Sequence, residues 1–495
     1  MISQMIEDLR KQGVQRDFLT TGKFLAETKW KHIVEGRHPI EDKVKRYTTA
    51  YLLEEELKWM ATMDEATRAI QIGDFQKWAF PLIRASFPTS IVSDIVTVQP
   101  LNGPNGTVFY QDFVFDSDKG PVRRGDIAFS SVARGAAQKN FAGQQVDGEQ
   151  IGVGINDLHG ISLNWTPLVP GTLSITDGDQ WVIDDGNGNL IGDVGANPGT
   201  VDYATGTISS SATAVFAAAP AASNPIIAAY QFDQEGNGKV SEMSMIFTSS
   251  NVTAQAKKLK AVWSLDAAFV AHAVQGIEAE VEITAACAAE IKHEIERIVI
   301  EDLFRIAGAG SAFWNTTQPS GVDYTTHKLT IMDALNGLSN QIFKTTGKAR
   351  ATWIVAGNDV ASALETLPGY VEVADVANGN SKGAYRCGRL GNKWDVFKDP
   401  FLDDTKFLMG NKSPMFSTAG YMFCPWIPLY ATPTIAQANF VASKGLATHF
   451  GKKAINGLLY GTGEFLSAAS LAKRLNVAAD QVPLFGKAAR GVYGV

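Results

Sequence analysis

Cysteine is scarce: Cys287, Cys387 and Cys424 are the three in a chain of 495 residues. No two stand at C-x-x-C spacing, so neither a disulfide framework nor a cysteine metal site is encoded. The three read as reduced thiols that pack as small apolar side chains. Seven histidines are scattered, no two closer than His32 and His38, and no Ser-His-Asp set stands out. An excess of basic charge is missing as well. Forty-four Lys and Arg face 51 Asp and Glu, a net charge of −7. That argues against a dedicated DNA-binding surface, which needs a basic patch to displace counterions. It does not exclude a wall that must not adhere to nucleic acid, which acidic charge would repel. Aromatic residues, 10% of the chain, lack the basic interleaving of a single-strand platform. No window approaches the roughly 20 apolar residues of a membrane span. The first ten residues, Met1 to Arg10, lack the apolar core of a signal peptide. The expectation is a protein made in a cytoplasm and working there or released by lysis.

Catalytic and metal motifs are present only in broken form. His293-Glu294-Ile295-Glu296-Arg297 begins like H-E-x-x-H, but Arg297 stands where the second imidazole must be. Asp233-Gln234-Glu235-Gly236-Asn237-Gly238 resembles half a calcium loop, and Ser244 replaces the bidentate carboxylate at its twelfth position. A polar turn is the better reading. Asp185-Gly186-Asn187-Gly188-Asn189 fails because Leu190 replaces the obligatory Gly. Gly238-Lys239 lacks the flanking residues of a phosphate loop, and G-x-G-x-x-G does not occur. No catalytic residue, metal ligand or cofactor site is assigned, and the chain reads as a non-enzyme.

What is present is length and alternating texture. The chain is long enough for two to four structural units, and 45% hydrophobic residues supply a sizeable core. Residues 1–68 are charged and helix-patterned, too polar for a core of their own. They read as a peripheral arm resting on something else, such as a neighbouring copy. Residues 71–100 read as a short helix, a break and a strand over 91–98. After the turn cluster 101–106, the alternation over 107–115 signals a hairpin. Residues 116–160 are polar and Gly-rich, an extended arm rather than a core. Residues 165–232 form a composition island of short apolar runs between Asp, Asn and Gly turns, a small all-β module that includes a hairpin turning through Ala204-Thr205-Gly206. Residues 257–276 read as one helical segment. Over 278–307 a strong helical period follows: Ile283, Cys287, Ile291, Ile295, Ile298 and Ile306 share a stripe that only Asp302 interrupts. At 1.5 Å per residue that helix is roughly 45 Å long. Further on come a helix over 329–344, a buried strand at 351–356, and a helix over 359–366 capped by Asn358. Strands are expected at 394–397, 406–409, 421–426 and 438–448. The fold class is α+β.

Four stretches in order resemble the major capsid proteins of large contractile-tailed phages. They are Gln71-Ile72-Gly73 through Val98-Gln99-Pro100-Leu101-Asn102-Gly103-Pro104-Asn105-Gly106; Lys258-Leu259-Lys260-Ala261 through His272-Ala273-Val274-Gln275-Gly276-Ile277-Glu278; Leu390-Gly391-Asn392-Lys393-Trp394-Asp395-Val396-Phe397; and Ala419-Gly420-Tyr421 through Pro425-Trp426. No single one is specific; four in register are. The resemblance implies the capsid fold shared by tailed phages and herpesviruses, with this layout: a helical N-terminal arm 1–70, a lead-in 71–106 to the peripheral domain, and an extended loop region 107–262 holding the inserted β domain 165–232. A peripheral domain 263–350 with spine helix 278–307 follows, then an axial domain 351–433 and C-terminal strands and tail 434–495. It also implies pentamers and hexamers tiling an icosahedral shell around double-stranded DNA, with scaffold, portal and decoration proteins as partners.

Two features depart from that pattern. The β texture of 165–232 differs from the helix-containing insertions of close relatives, leaving surface decoration, neighbour contact or glycan binding as its role. Family precursors are often trimmed after Glu in a hydrophobic-x-Glu context; Glu27, Glu35, Glu54 and Glu65 fit, and the expectation is no trimming. One rival is a nanocompartment shell protein, disfavoured by the length of this chain. The other is a polysaccharide-binding protein built on the β island. It would need paired carboxylates in a cleft, whereas Asp177, Asp179, Asp184 and Asp185 lie in Gly-rich turns.

Overall fold

Trp353–Ala356 are all buried, as a strand covered on both faces requires. This strand sits centrally in a mixed sheet of eight strands among the described residues. The order is Tyr370–Glu372, Tyr385–Leu390, Trp394–Lys398, Trp353–Ala356, Lys406–Gly410, Tyr460–Leu466, Ser311–Asn315 and Phe485–Ala488. Trp353–Ala356 runs parallel to Trp394–Lys398 and antiparallel to Lys406–Gly410. Helices Ile331–Thr346 and Asn358–Glu365 pack on this sheet through Ile331, Leu335, Leu338, Val360 and Leu364. The computed structural model describes residues 14–35, 40, 42–64, 90–128, 141–154, 158–192, 199–209, 216, 220–276, 278–347, 349–373, 383–413, 418–436, 441–475 and 485–488. The short helix expected before Pro88 and the candidate Glu65 lie outside them.

Two units divide the chain. The first comprises Met1–Tyr110, Thr248–Phe343 and Ala349–Val495; the second is mainly Gln111–Phe247. In the first unit a second sheet is ordered Thr97–Val98, Tyr421–Ala431, Val441–Ala454 and Gln255–Ser264, with Ile435–Ala436 on Val441–Ala454. The helix Ala279–Ile306, 28 residues and about 42 Å long, contributes to two apolar clusters. Ala288 and Ile291 join one with Leu53, Leu429 and Leu446; Val299, Ile300 and Leu303 join another with Ile95, Trp353 and Tyr460.

Several sequence expectations change. Residues 257–264 are not helical: Gln255–Ser264 is a strand paired with Val441–Ala454 over its full length. Its period is two, with Ala261 and Trp263 buried and Lys258, Lys260 and Val262 exposed. The helix starts only at Leu265, where the Ser264 hydroxyl accepts from the Ala267 amide, and ends at Gly276 with φ 69°. Residues 92–95 form a helical turn, Val92–Ile95, leaving the strand just Thr97–Val98. The buried Glu296 carboxylate holds that turn by accepting from the Ser90 hydroxyl at 3.0 Å and the Ile91 amide at 3.1 Å. The strand Asn105–Phe115 pairs mainly with the distant Met243–Thr253, and its local pairing among the described residues is confined to its end, where Val114 bridges Ile127. Asn358 is not the cap of its helix. Gly357 holds that position, and the Asn358 side-chain amide donates to Asp404 instead.

The second unit contains the β island and more. Its five-stranded sheet runs Gln145–Val153, Pro225–Gln231, Ser174–Thr176, Trp181–Asp184 and Leu190–Gly192; a smaller one joins Ile161–Ser162, Thr207–Ser209 and Thr200–Asp202. Residues 116–160 are therefore not merely an arm. Val146 and Leu158 enter the core with Trp165, Ile175, Ile208 and Tyr230, and Val122 and Phe141 build a satellite with Phe115. Short alternating segments that bury every second residue are weak signals one by one, and these were hidden among glycines.

Two glycines test the packing. Gly337 lies mid-helix, with open space where a Cβ would go. Gly337→Ala is expected to raise stability by about 0.5–1 kcal/mol. At Gly457 a Cβ would be driven into the Ile306 carbonyl oxygen, so Gly457→Ala is expected to cost about 1–3 kcal/mol. Equilibrium urea unfolding of the unassembled chain reads both, and effects of equal sign would contradict the packing.

Candidate assembly surfaces

The long helix is held by the polar groups it buries. Glu296 meets Ser90 and Ile91 on one oxygen, and His293 Nδ1 lies 3.3 Å from the other. Asp302 accepts from the Tyr421 hydroxyl at 2.9 Å and from Lys452 Nζ at 2.6 Å. Near its start, Glu280 accepts from Thr434 at 2.6 Å and Lys444 at 2.9 Å. Burial raises the Glu280 carboxyl, but those two partners outweigh it and hold it below its ordinary value. A helix fastened at both ends and its middle is a rigid reference for surfaces around it.

The N-terminal helices Val14–Glu27 and Lys43–Asp64 are seated on the chain itself. Leu25, Trp30, Val34, Ala50 and Leu53 close over Ile291, Leu429 and Leu446. Lys45 pairs with Asp94 at 2.6 Å. The arm was expected to be too polar for a core; its apolar residues are few, but Ala50, Leu52 and Leu53 are fully covered. Of the trimming candidates in these helices, Glu54 is engaged by Lys29 Nζ and Trp30 Nε1, while Glu27 is exposed. The same helix buries Glu56 with neither carboxylate oxygen hydrogen-bonded, and burial pushes its carboxyl up to about 8.

Other elements leave apolar surface open. In the ribbon strand Met243–Thr253, Met243, Met245, Ile246 and Phe247 are exposed, as is Phe109 of Asn105–Phe115. Helix Leu265–Gln275 exposes Phe269, Val270 and Val274. The sheet of the second unit exposes Trp181, Ile183 and Ile191, with Ile183 and Ile191 directly paired. Contiguous apolar surface of this kind marks sites of association.

The residues considered for chemistry occupy structural positions. Asp233 caps the turn Gln234–Asn237 by accepting from the Glu235 amide. Asp177 takes the Asp179 and Gln180 amides; burial raises its carboxyl, and these bonds more than reverse that. Asp184 accepts from Gly171, Gly186 and the Tyr203 hydroxyl, and Asp185 from Asn187 and Asn189. These carboxylates close turns and do not face one another across a cleft. Burial pushes the thiols of Cys387 and Cys424 up to about 12. Among the described residues no three His, Cys, Asp or Glu gather to hold a metal, and no helix is long and apolar enough to cross a membrane. One feature gave no sequence signal. Lys119 is buried against the rings of Trp165 and Phe232, 5.3 and 5.1 Å from their centroids, and donates to the Phe141 and Gly143 carbonyls. Burial lowers its ammonium to about 8 despite the opposing effect of Asp147.

A rigid framework that leaves apolar surface unfilled suits a subunit that associates. Comparison with known proteins gives the kind. Residues 72–478 match the family described as Major capsid protein Gp23, and the chain belongs to that family. It is 24% identical to the major capsid protein of Vibrio phage KVP40 over 75% of this chain and 74% of that one. To the major capsid protein of Enterobacteria phage T4 it is 25% identical, over 75% and 73%. Among solved structures, the capsid of Myoviridae phage XM1 is similar with a TM-score of 0.31 and 10% identity, over 46% of this chain and 78% of that one. The chain is a major capsid protein, a structural protein of the virion that assembles into the head shell.

Glu56 yields a pH prediction. Its folded-state value lies above its unfolded one, so the stabilising neutral form is fully present below about pH 4.5 and is lost as pH rises through about 8. Stability of the unassembled chain relative to Glu56→Gln should fall across that window and level off above it. Urea titrations at pH 4.5, 6, 7 and 8.5 measure the difference, and a pH-independent one would contradict the burial.

Proposed function

We propose that this subunit forms pentamers and hexamers that close into an icosahedral shell around double-stranded DNA, assembled in the cytoplasm of a bacterial host. In this reading residues 1–70 are the N-terminal arm and the ribbon within 107–262 is the extended loop over a neighbour. Ala279–Ile306 is the spine of the peripheral domain and 351–433 the axial domain at the capsomer centre. The observation that carries it is the ribbon: eleven-residue strands Asn105–Phe115 and Met243–Thr253 with apolar side chains exposed. Such a ribbon is marginal alone in water and gains its stability by covering another copy. Obligate assemblies bury on the order of 2,000–5,000 Å², which arms and loops supply better than compact faces. Contacts that close around a capsomer give rings, and curvature between capsomers gives a closed shell. The acidic chain, net −7, keeps its wall from adhering to packed DNA. Scaffold, portal and decoration proteins are the further partners this reading assigns, and the subunit performs no catalysis.

Negative-stain electron microscopy with light scattering on the purified chain tests this. Rings, tubes or closed particles are expected; a monomer at every concentration and salt that turns over glycans would overturn it. The N-terminal helices generate a second expectation. Deleting residues 1–64 uncovers Ile291, Leu429 and Leu446, so particle yield in the same micrographs should drop at least tenfold. Unchanged particles would deny the arm its clamping role.

A further inference from the structure

Helix Leu265–Gln275 is apolar on two sides, and its own chain uses one. Leu265 and Ala268 pack inward on the cluster of Ala261, Trp263 and Ala442, beside Ile283 and Cys287. On the other side Phe269 is 70% exposed, Val270 61% and Val274 76%. A surface helix normally turns charged residues outward, and one that is apolar all round is buried. Here Asp266 and His272 are the only titratable side chains in eleven residues. Together these three side chains open on the order of 350 Å² of apolar surface, within the roughly 300–600 Å² of the largest patches on soluble monomers, which are often functional. That is a little under half of the roughly 800 Å² that one partner of a stable pair covers. The helix is capped at both ends, by Ser264 and by Gly276, so the patch is a formed surface.

We infer that the outward face of Leu265–Gln275 docks on a second copy of this chain. This deepens the shell reading and rests on it. Three observations select the occupant. The area suits the apolar centre of a protein interface. As a member of a major capsid protein family the chain assembles with further copies of itself, so a second copy is the partner at hand. Nucleic acid would need a positive face, and Asp266 and His272 are the only titratable side chains of this helix. Finally, exposed Ala267 and Ala273 lie beside Phe269, Val270 and Val274, so ridges and grooves alternate as helix packing between copies requires.

The test pairs Phe269→Asp and Val274→Asp with the conservative Phe269→Leu in the full chain. Both aspartate variants should keep the wild-type circular dichroism and melting temperature as unassembled chains and lose at least tenfold in particle yield, while Phe269→Leu assembles. Should an aspartate variant misfold, a photo-reactive benzoyl-phenylalanine at position 269 decides. Irradiated particles should give an adduct with the mass of two capsid chains; adducts only to a scaffold protein, to lipid or within one chain would overturn the inference. Wild-type particles alongside fully assembling aspartate variants would overturn this contact and leave the shell reading standing. Failure of the wild type itself to assemble would strike the shell reading.

Discussion

The buried carboxylate of Glu296 is the constraint around which the first unit is arranged. A carboxyl group in a helix that runs through apolar clusters is costly unless its oxygens are met, and leaving such a buried group without a partner costs about 1–3 kcal/mol, more when it is charged. Its partners come from far away in sequence: Ser90 and Ile91, more than 200 residues upstream. Satisfying Glu296 therefore fixes the turn Val92–Ile95. That turn sets the short parallel pairing of Thr97–Val98 with Met422 and Phe423, and with it the point where the chain leaves toward Asn105–Phe115. Asp302 repeats the device one and a half turns on, tying the helix to Tyr421 and Lys452.

A frame held this way can leave other surfaces unfinished. The eight-stranded sheet and its helices form a core that needs nothing further, with Trp353, Trp394, Phe397 and Phe407 covered. The ribbon and Leu265–Gln275 differ: their apolar side chains meet solvent in the isolated subunit. A monomer with such surfaces is stable enough to fold and gains further stability from copies that bind the folded form. That division between a self-sufficient interior and incomplete edges is the physical content of a shell-building function. The acidic balance of the chain limits what else the edges attract.

Much of this was legible from residue pattern. The helix at Ala279–Ile306 followed from isoleucines at helical spacing, and the strands around Trp353, Trp394 and Tyr421 from short apolar runs. Asp302 was visible only as an interruption of the helical stripe; its bonds to Tyr421 and Lys452 came from the fold. Other parts were written in distant pairings. The strand Gln255–Ser264 was read as helix because lysines and leucine fit both periods, and only Val441–Ala454 decides between them. Asn105–Phe115 signalled a hairpin, but its partner is well over a hundred residues away. Lys119 gave no signal; its aromatic and carbonyl surroundings come from Phe141, Gly143, Trp165 and Phe232, which no local pattern joins. The exposed face of Leu265–Gln275 lay within a segment read simply as helix, and its exposure follows only once the inward face is identified.

Hydrogen–deuterium exchange, compared between the unassembled chain and its particles, tests the central claim most directly. The account predicts that amides of Ala279–Ile306 and Trp353–Ala356 are protected in both states, while those of Met243–Phe247 and Leu265–Gln275 gain at least tenfold protection on assembly. Equal exchange of these two segments in both states, with new protection confined to elements already buried in the subunit, would contradict it.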